Sequence, residues 1–226
     1  MWCIANCVVK ENEIVEERVV YNNSSLVSQL GLNLREQARH FGNVLQKDVQ
    51  NGLNDLAFGE PERLLGQGKP PKLEGPSDSF DVGTFLRHAY HTIWNWRKLD
   101  AVKEAYAPGV RFFGPTDRKL YSRGAYQNFV LSLLATFPDL SLQIDDLYWM
   151  GNDDEGYLTS LRWSVVGTHR GYGVYGQPTG RRVHLWGITQ HVIQGGVIVQ
   201  EWMLFNEFEV MQQLYRDETS GEAANL

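Results

Sequence analysis

Residues 185–214, LWGITQHVIQGGVIVQEWMLFNEFEVMQQL, occur a second time, without a gap, as residues 1–30, MWCIANCVVKENEIVEERVVYNNSSLVSQL. Internal repeats are considered first because they change the expected fold. Only the second copy is preceded by the rest of a domain. The chain is therefore predicted to hold the end of one domain, a linker and then a complete domain of the same kind. The identical pairs are Trp2/Trp186, Ile4/Ile188, Val8/Val192, Ile14/Ile198, Val15/Val199, Glu17/Glu201, Asn22/Asn206, Gln29/Gln213 and Leu30/Leu214.

The composition restricts the possible function classes. Hydrophobic residues make up 42% of the chain, and the net charge is −6. Phosphate neutralisation dominates nucleic-acid affinity, so an acidic chain without a basic cluster is predicted to bind none. No apolar run approaches the roughly 20 residues that span a bilayer, and no signal peptide is recognisable, which favours a cytoplasmic protein. The only cysteines, Cys3 and Cys7, would lie ~13 Å apart on a strand and are expected to be buried free thiols.

Periodicity and turn residues predict the elements. A hairpin is expected at 2–21 with a turn at Glu11-Asn12, followed by a helix capped by Asn23 or Ser24. Residues 47–79 are rich in glycine and proline and indicate a linker with a short helix near 60–65. Helices followed by antiparallel strands indicate an α+β fold with helices on one face of a curved sheet. The complete domain is predicted to contain helices at 80–97, 99–106, 122–136 and 207–215, and strands at 110–114, 140–150, 157–168, 182–194 and 197–205.

The predicted organisation has four parts. Residues 1–46 form the C-terminal part of a truncated first repeat, 47–79 the linker, 80–216 the complete domain and 217–226 a tail. The hairpin at the N-terminus carries too much apolar surface to stay exposed, and a two-stranded unit is marginal alone. It is expected to extend the sheet of the complete domain, to cover that domain's outer face, or to pair with the same hairpin of a second chain in a homodimer.

The complete domain resembles the SnoaL-like polyketide cyclase family, which has the cone-shaped fold of nuclear transport factor 2 and ketosteroid isomerase. The resemblance covers residues 80–215, and its second half again covers 1–31. It implies a closed apolar cone for a polycyclic or ester-bearing small molecule, and cyclase, isomerase or lyase chemistry without metal or organic cofactor. The motifs are Phe137-Pro138-Asp139, Gly167-Thr168-His169, Pro178-Thr179-Gly180 and the run from Ile198 through Trp202 and Asn206 to Leu214.

The family's catalytic group does not carry over unchanged. In the family, an aspartate four residues after the tryptophan of the last strand acts as acid/base in an apolar site that raises its pKa. This chain has Asn206 there, and an amide can only donate a hydrogen bond to a developing enolate. Two alternatives follow. Either His191 or His169 carries the proton beside Asn206, or the domain binds a hydrophobic ligand or dimerises without turnover.

Strand pairing places further candidates. If the turn at Gly195-Gly196 is followed by simple antiparallel pairing, Trp202 and Asn206 share the cavity face with Thr189 and His191. The opposite face is then almost entirely hydrophobic, as a dimer interface or a covered face would be.

Other side chains have two possible roles. Trp94 and Phe137 are candidate substrate contacts or simply core residues. Arg162 is either a substrate clamp or half of a buried ion pair with Asp146. Glu207 is expected to point outward.

Overall fold

A computed structural model describes residues 1–50 and 80–217, without the side chains of 46–50. The linker beyond residue 50, with its short predicted helix near 60–65, and the tail after residue 217 lie outside the described residues. In chain order the described elements are β1 (Cys3–Lys10), β2 (Glu13–Tyr21), α1 (Asn23–Gln29), α2 (Leu34–Gln50), α3 (Val82–Tyr90, continued by a π-helical turn His91–Asn95), α4 (Ala101–Ala105), β3 (Tyr106–Phe113), β4 (Lys119–Leu120), α5 (Arg123–Thr136), β5 (Ser141–Asn152), β6 (Gly156–Thr168), β7 (Arg182–Gln194), β8 (Val197–Phe205) and α6 (Glu207–Tyr215).

The predicted α+β architecture is confirmed. Six strands form one sheet in the order β4-β3-β8-β7-β6-β5, and the main core lies between one face of this sheet and the helices α3 and α5. Side-chain caps fix where these helices begin: Asp81 accepts from the Thr84 N–H, and Ser122 accepts from the Ala125 N–H. Such caps satisfy backbone donors that the first helical turn leaves unpaired.

The last hairpin departs from the predicted register. Gln194 pairs with Val197 and Ile193 with Ile198, but Val192 pairs with Gln200. Val199 is the extra residue of a β-bulge, which reverses the facing of everything after it on that strand. Glu201 therefore pairs with His191 on the inner face, and Trp202 turns to the outer face. The prediction that Trp202 lines the cavity is wrong for this reason.

The N-terminal hairpin repeats this geometry at every equivalent position. Val9 pairs with Ile14 and Val8 with Glu16, so the bulge falls at Val15, the counterpart of Val199. Both turns use two residues with positive φ, Glu11-Asn12 in one hairpin and Gly195-Gly196 in the other. The helix that follows begins after Asn22 rather than after the predicted Asn23 or Ser24, as α6 begins after Asn206. The two copies thus share their structure as well as their sequence.

The hairpin covers the outer face of the complete domain. Ile4 and Val20 pack against Ile188 and Leu204 in a second buried cluster, with Trp2, Trp186 and Trp202 at its margin. Ile4 and Val20 occupy the repeat positions of Ile188 and Leu204, so equivalent residues meet across the contact. This is the arrangement of a two-fold interface, built inside one chain. Of the three docking modes expected from the sequence, the structure has the second.

Polar contacts fix the docked hairpin and the helices after it. Asn6 accepts from the Ser160 hydroxyl at 2.6 Å, and Asn22 donates to Asp117 at 3.2 Å. Near the C-terminus of the described chain, Asn43 donates to Asp217 at 2.6 Å. The single helix predicted up to residue 46 is two helices, α1 and α2, separated by a turn at Gly31, where φ is +72°.

The two cysteines correct another expectation. Cys3 and Cys7 lie on the hairpin face that points away from the complete domain, and both are exposed. The reason is the docking just described: alternation on β1 sends Ile4 to the contact and the cysteines to the opposite side. They are free thiols, as expected, but they are not buried.

Candidate functional site

A buried histidine stands at the centre of the inner face of β7. His191 is 1% exposed. Its Nε2 lies 2.9 Å from the Tyr90 hydroxyl of α3, and its Nδ1 lies 2.7 Å from the Thr159 hydroxyl of β6. Burial lowers the pKa of His191 to about 3, so the ring is neutral at pH 7. Each hydroxyl can donate or accept, so either neutral tautomer of His191 satisfies both contacts.

A buried carboxyl faces this histidine from β8. Glu201 accepts hydrogen bonds from the hydroxyls of Tyr106, at 2.7 Å, and Tyr126, at 3.4 Å. Burial raises the pKa of Glu201 to about 8, although both tyrosine hydrogen bonds act in the opposite direction. Glu201 Oε2 is 3.7 Å from His191 Nε2, which would be an ion pair if both were charged. Desolvation opposes both charges, so we assign a neutral imidazole beside a protonated carboxyl.

Hydroxyl groups connect this pair to the wall of an apolar cavity. Trp163 Nε1–H donates to the Thr189 hydroxyl at 2.9 Å, and Thr189 in turn contacts the Tyr90 hydroxyl. Trp163 lines the cavity, whose volume is about 30 Å³. That is room for little more than one water molecule. The cavity is lined by Trp94, Leu133, Phe137, Leu140, Leu142, Trp163, Val165, Tyr175, Leu185, Met203, Phe205 and Val210.

The structure separates the residues that the sequence grouped as a site. His191 and Thr189 lie on the inner face as expected, and Trp94 and Phe137 line the cavity. Trp202 lies on the outer face and stacks on Phe113 with ring centroids 6.0 Å apart. Asn206 caps α6 by accepting from the Glu209 N–H at 3.3 Å. Its side-chain oxygen is thus engaged by a helix end.

Arg162 and Glu207 are structural in this fold. Arg162 is 3.4 Å from Asp146, the expected ion pair, and lies over the Trp186 ring on the outer face, away from the cavity. Glu207 contradicts the prediction that it points outward: it is 2% exposed and accepts both Arg118 nitrogens at 2.8 Å. The loop carrying Thr116 and Arg118 turns back over the start of α6 and buries this carboxylate.

His169 is buried at the edge of the cavity wall. Its Nδ1 accepts from the Thr179 N–H at 3.3 Å, and its ring packs against Phe137 and Tyr175, both of which line the cavity. Burial, and to a lesser extent the charge of Arg35, lower the pKa of His169. It is therefore a neutral wall residue that sits apart from the His191–Glu201 pair.

Sequence reasoning missed Glu201 and its tyrosine partners. Glu201 stood in the recognised last-strand motif, but the unbroken register assigned it to the outer face. The available signal was a carboxylate inside an otherwise apolar strand. Tyr90, Tyr106 and Tyr126 lie on three separate elements, so no local spacing could link them to it.

Across residues 1–50 and 80–217, no group of three or more histidine, cysteine, aspartate or glutamate side chains is arranged to hold a metal ion. Within those ranges, none of the helices is both long and apolar enough to cross a membrane.

Comparison with known structures shows that the complete domain shares its fold with other proteins. A protein assigned as a SnoaL-like polyketide cyclase from Jannaschia sp. CCS1 superposes with a TM-score of 0.52 at 15% identity, covering 63% of this chain and 100% of its own. AclR from Streptomyces galilaeus, assigned as a hydroxylase, gives a TM-score of 0.51 at 21% identity, covering 62% and 88%. At these identities the likeness establishes the fold alone.

Family membership follows from the sequence itself. The model of the SnoaL-like polyketide cyclase family matches residues 84–214, more than half of the chain. The chain belongs to the SnoaL-like polyketide cyclase family. A comparison with curated proteins finds no match.

Proposed function

We propose that the complete domain catalyses proton transfer at a carbon acid of an apolar, ring-forming substrate, as a cyclase or isomerase would, without a metal or organic cofactor. Glu201 is the proposed acid/base. It would take the role that the family gives to an aspartate at the position where this chain has Asn206. The observation that carries this proposal is the buried carboxyl of Glu201, which faces His191 and accepts hydrogen bonds from two tyrosine hydroxyls. Burial raises its pKa to about 8. General acid–base catalysis is most efficient when the pKa of the group lies near the working pH.

The surrounding hydroxyls suit this role. Tyr106 and Tyr126 donate to Glu201 and stabilise the carboxylate that remains once its proton has left. His191 stays neutral and holds the Tyr90 hydroxyl through a hydrogen bond of 2.9 Å. Tyr90 also contacts Thr189, which receives the Trp163 N–H from the cavity wall. His169 is the second proposed histidine contact, because its ring packs against Phe137 of the cavity lining.

Substrate entry requires the apolar wall to move. A cavity of about 30 Å³ is far smaller than the 300–1,000 Å³ typical of ligand pockets. Trp94 and Trp163 line this cavity and also contact the hydroxyls of Tyr126 and Thr189, so displacement of these rings would open a path towards Glu201. We propose a flat polycyclic or ester-bearing substrate, because a ring system can replace the stacked aromatic surface that such a movement exposes.

The direct test is carbon-acid exchange on a tricyclic β-keto ester in D₂O, followed by NMR. Glu201→Gln should slow deuterium incorporation by 10²- to 10⁴-fold, the usual contribution of an acid/base group. Glu17→Gln is the matched control, because Glu17 holds the same position in the repeat but is exposed. The wild-type rate should rise with pH as Glu201 ionises. Equal rates in the wild type and Glu201→Gln would reject Glu201 as the catalyst.

The second candidate is a hydrophobic-ligand module without turnover. The helix-capping role of Asn206 favours it. It predicts that 1,8-dihydroxyanthraquinone binds and quenches tryptophan fluorescence, while no exchange is catalysed. A homodimer and a cytoplasmic location stay predictions. The outer face of the β7–β8 hairpin is already covered by the chain's own N-terminal hairpin, so a dimer would need another surface.

A further inference from the structure

The N-terminal hairpin has a second face that nothing in the described structure covers. Its residues alternate with those that contact the complete domain. Val9 is 58% exposed, Ile14 61% and Tyr21 48%, although all three are large and apolar. The face consists of Cys3, Ala5, Cys7 and Val9 on β1, and Ile14, Glu17, Val19 and Tyr21 on β2.

The equivalent face of the complete domain is entirely buried. There it is covered by α3, β3 and α5, which bring the hydroxyls of Tyr90, Tyr106 and Tyr126 onto the His191–Glu201 pair. The hairpin retains the acidic half of that pair, since Cys7 lies opposite Glu17 with the thiol 3.6 Å from the carboxylate. The buried equivalents are Gly187, Thr189, His191, Ile193, Ile198, Glu201, Met203 and Phe205.

We propose that this open face is one wall of a second cone, and that its partner is a polypeptide with the first half of a SnoaL-like domain. Such a partner brings a helix like α3, a strand like β3 and a helix like α5. The chemistry required of it is an aromatic, apolar layer with hydroxyl donors placed opposite Glu17, as Tyr106 and Tyr126 are placed opposite Glu201. A buried carboxylate without such donors would be costly.

The area of the face argues against a second copy of the chain as the occupant. An eight-residue strand is ~26 Å long and two strands are ~10 Å wide, so hairpin-to-hairpin packing would bury about 260 Å² on each side. Stable interfaces bury about 800 Å² on each partner. A second hairpin would also set Glu17 against another Glu17 or against apolar side chains. A helical layer that wraps the hairpin supplies both more area and the donors.

The test uses Cys3 and Cys7, the only cysteines of the chain, as reporters on this face. The full chain is extended before Met1 by a copy of residues 80–184, because residue 185 is the repeat equivalent of residue 1. Reaction with 5,5′-dithiobis(2-nitrobenzoate) is then followed in the extended and unextended proteins. We expect the unextended chain to react at a rate independent of protein concentration, and the extended chain to react at least tenfold more slowly.

The matched control is the extended chain carrying Ala5→Arg. Ala5 is the equivalent of the buried Thr189, so the arginine prevents the added layer from closing and the thiols should remain reactive. Equal reactivity in the extended chain and this control, or an extended chain that does not fold, would overturn the proposal. Protection of the thiols in the unextended chain would also overturn the proposal. Protection that increases with protein concentration would identify a second copy of the chain as the occupant. Protection that does not change with concentration would identify another part of the same chain.

Discussion

Replacement of Glu201 by glutamine should change how the stability of the protein depends on pH. The pKa of Glu201 is raised from 4.5 in the unfolded chain to about 8 in the fold, so the folded protein holds a proton that the unfolded chain releases. Stability from this group is complete below pH 4.5 and is lost as the pH rises towards 8. The slope is about 1.4 kcal/mol per pH unit, or about 2 kcal/mol between pH 6.5 and 8.

Comparison of the two proteins isolates this carboxyl from its neighbour. Burial lowers the pKa of His191 from 6.5 to about 3, so the folded protein binds no proton there between pH 6.5 and 8, while the unfolded chain loses its own over the lower part of this window. That contribution is the same in the wild type and in Glu201→Gln and cancels in their difference. Urea denaturation of the wild type at pH 6.5 and 8 should show a decline in unfolding free energy that is about 2 kcal/mol larger than in Glu201→Gln. Glu17→Gln should keep the wild-type decline. Parallel profiles for wild type and Glu201→Gln would mean that Glu201 is ionised throughout, and the neutral pair would be the wrong assignment.

Three further substitutions test the packing. Gly187→Ala should destabilise the protein by about 1–3 kcal/mol in thermal unfolding, because its Cβ would collide with the Trp163 ring and come within 2.7 Å of a backbone oxygen. Unchanged melting would refute that close approach. Ile188→Ala should lower the free energy of unfolding by about 2–5 kcal/mol and expose the N-terminal hairpin to proteases. Unchanged protease resistance would show that the hairpin docks without this cluster. Glu207→Ala should cost about 3–5 kcal/mol by leaving Arg118 without its carboxylate, and a loss below 1 kcal/mol would show that this pair contributes little.

Most of the fold was predictable because periodic patterns and turn residues are local. The bounds predicted for the last two strands and α6 coincide with β7, β8 and Glu207–Tyr215. Gly195-Gly196 marks the turn, and strand alternation marks the rest. The start of the helix after the hairpin was predicted less accurately. Asn22, Asn23 and Ser24 are all suitable capping residues, and only the tertiary contacts of Asn22 decide between them.

The candidate site was predictable only in part, because a β-bulge changes the strand register without a signal in the residue type. Val199 is a β-branched residue on a β-strand, and nothing in its identity announces a bulge. His191 lies on β7, the strand without the extra residue, so its inner placement was predicted, whereas Glu201 and Trp202 follow the bulge on β8 and exchange faces. The tyrosines come from α3, β3 and α5, and their meeting at Glu201 depends on the assembled core.

The pseudo-two-fold contact between the two hairpins has a genetic consequence. In a homodimer, a substitution at such an interface appears on both sides at once, and both must tolerate it. Here each side is encoded separately, so one can drift while the other is constrained. The present sequence shows this freedom at the contact, where Trp202 is matched by Arg18 and Leu204 by Val20. It shows it on the opposite faces too, where one half has His191 beside its glutamate and the other has Cys7.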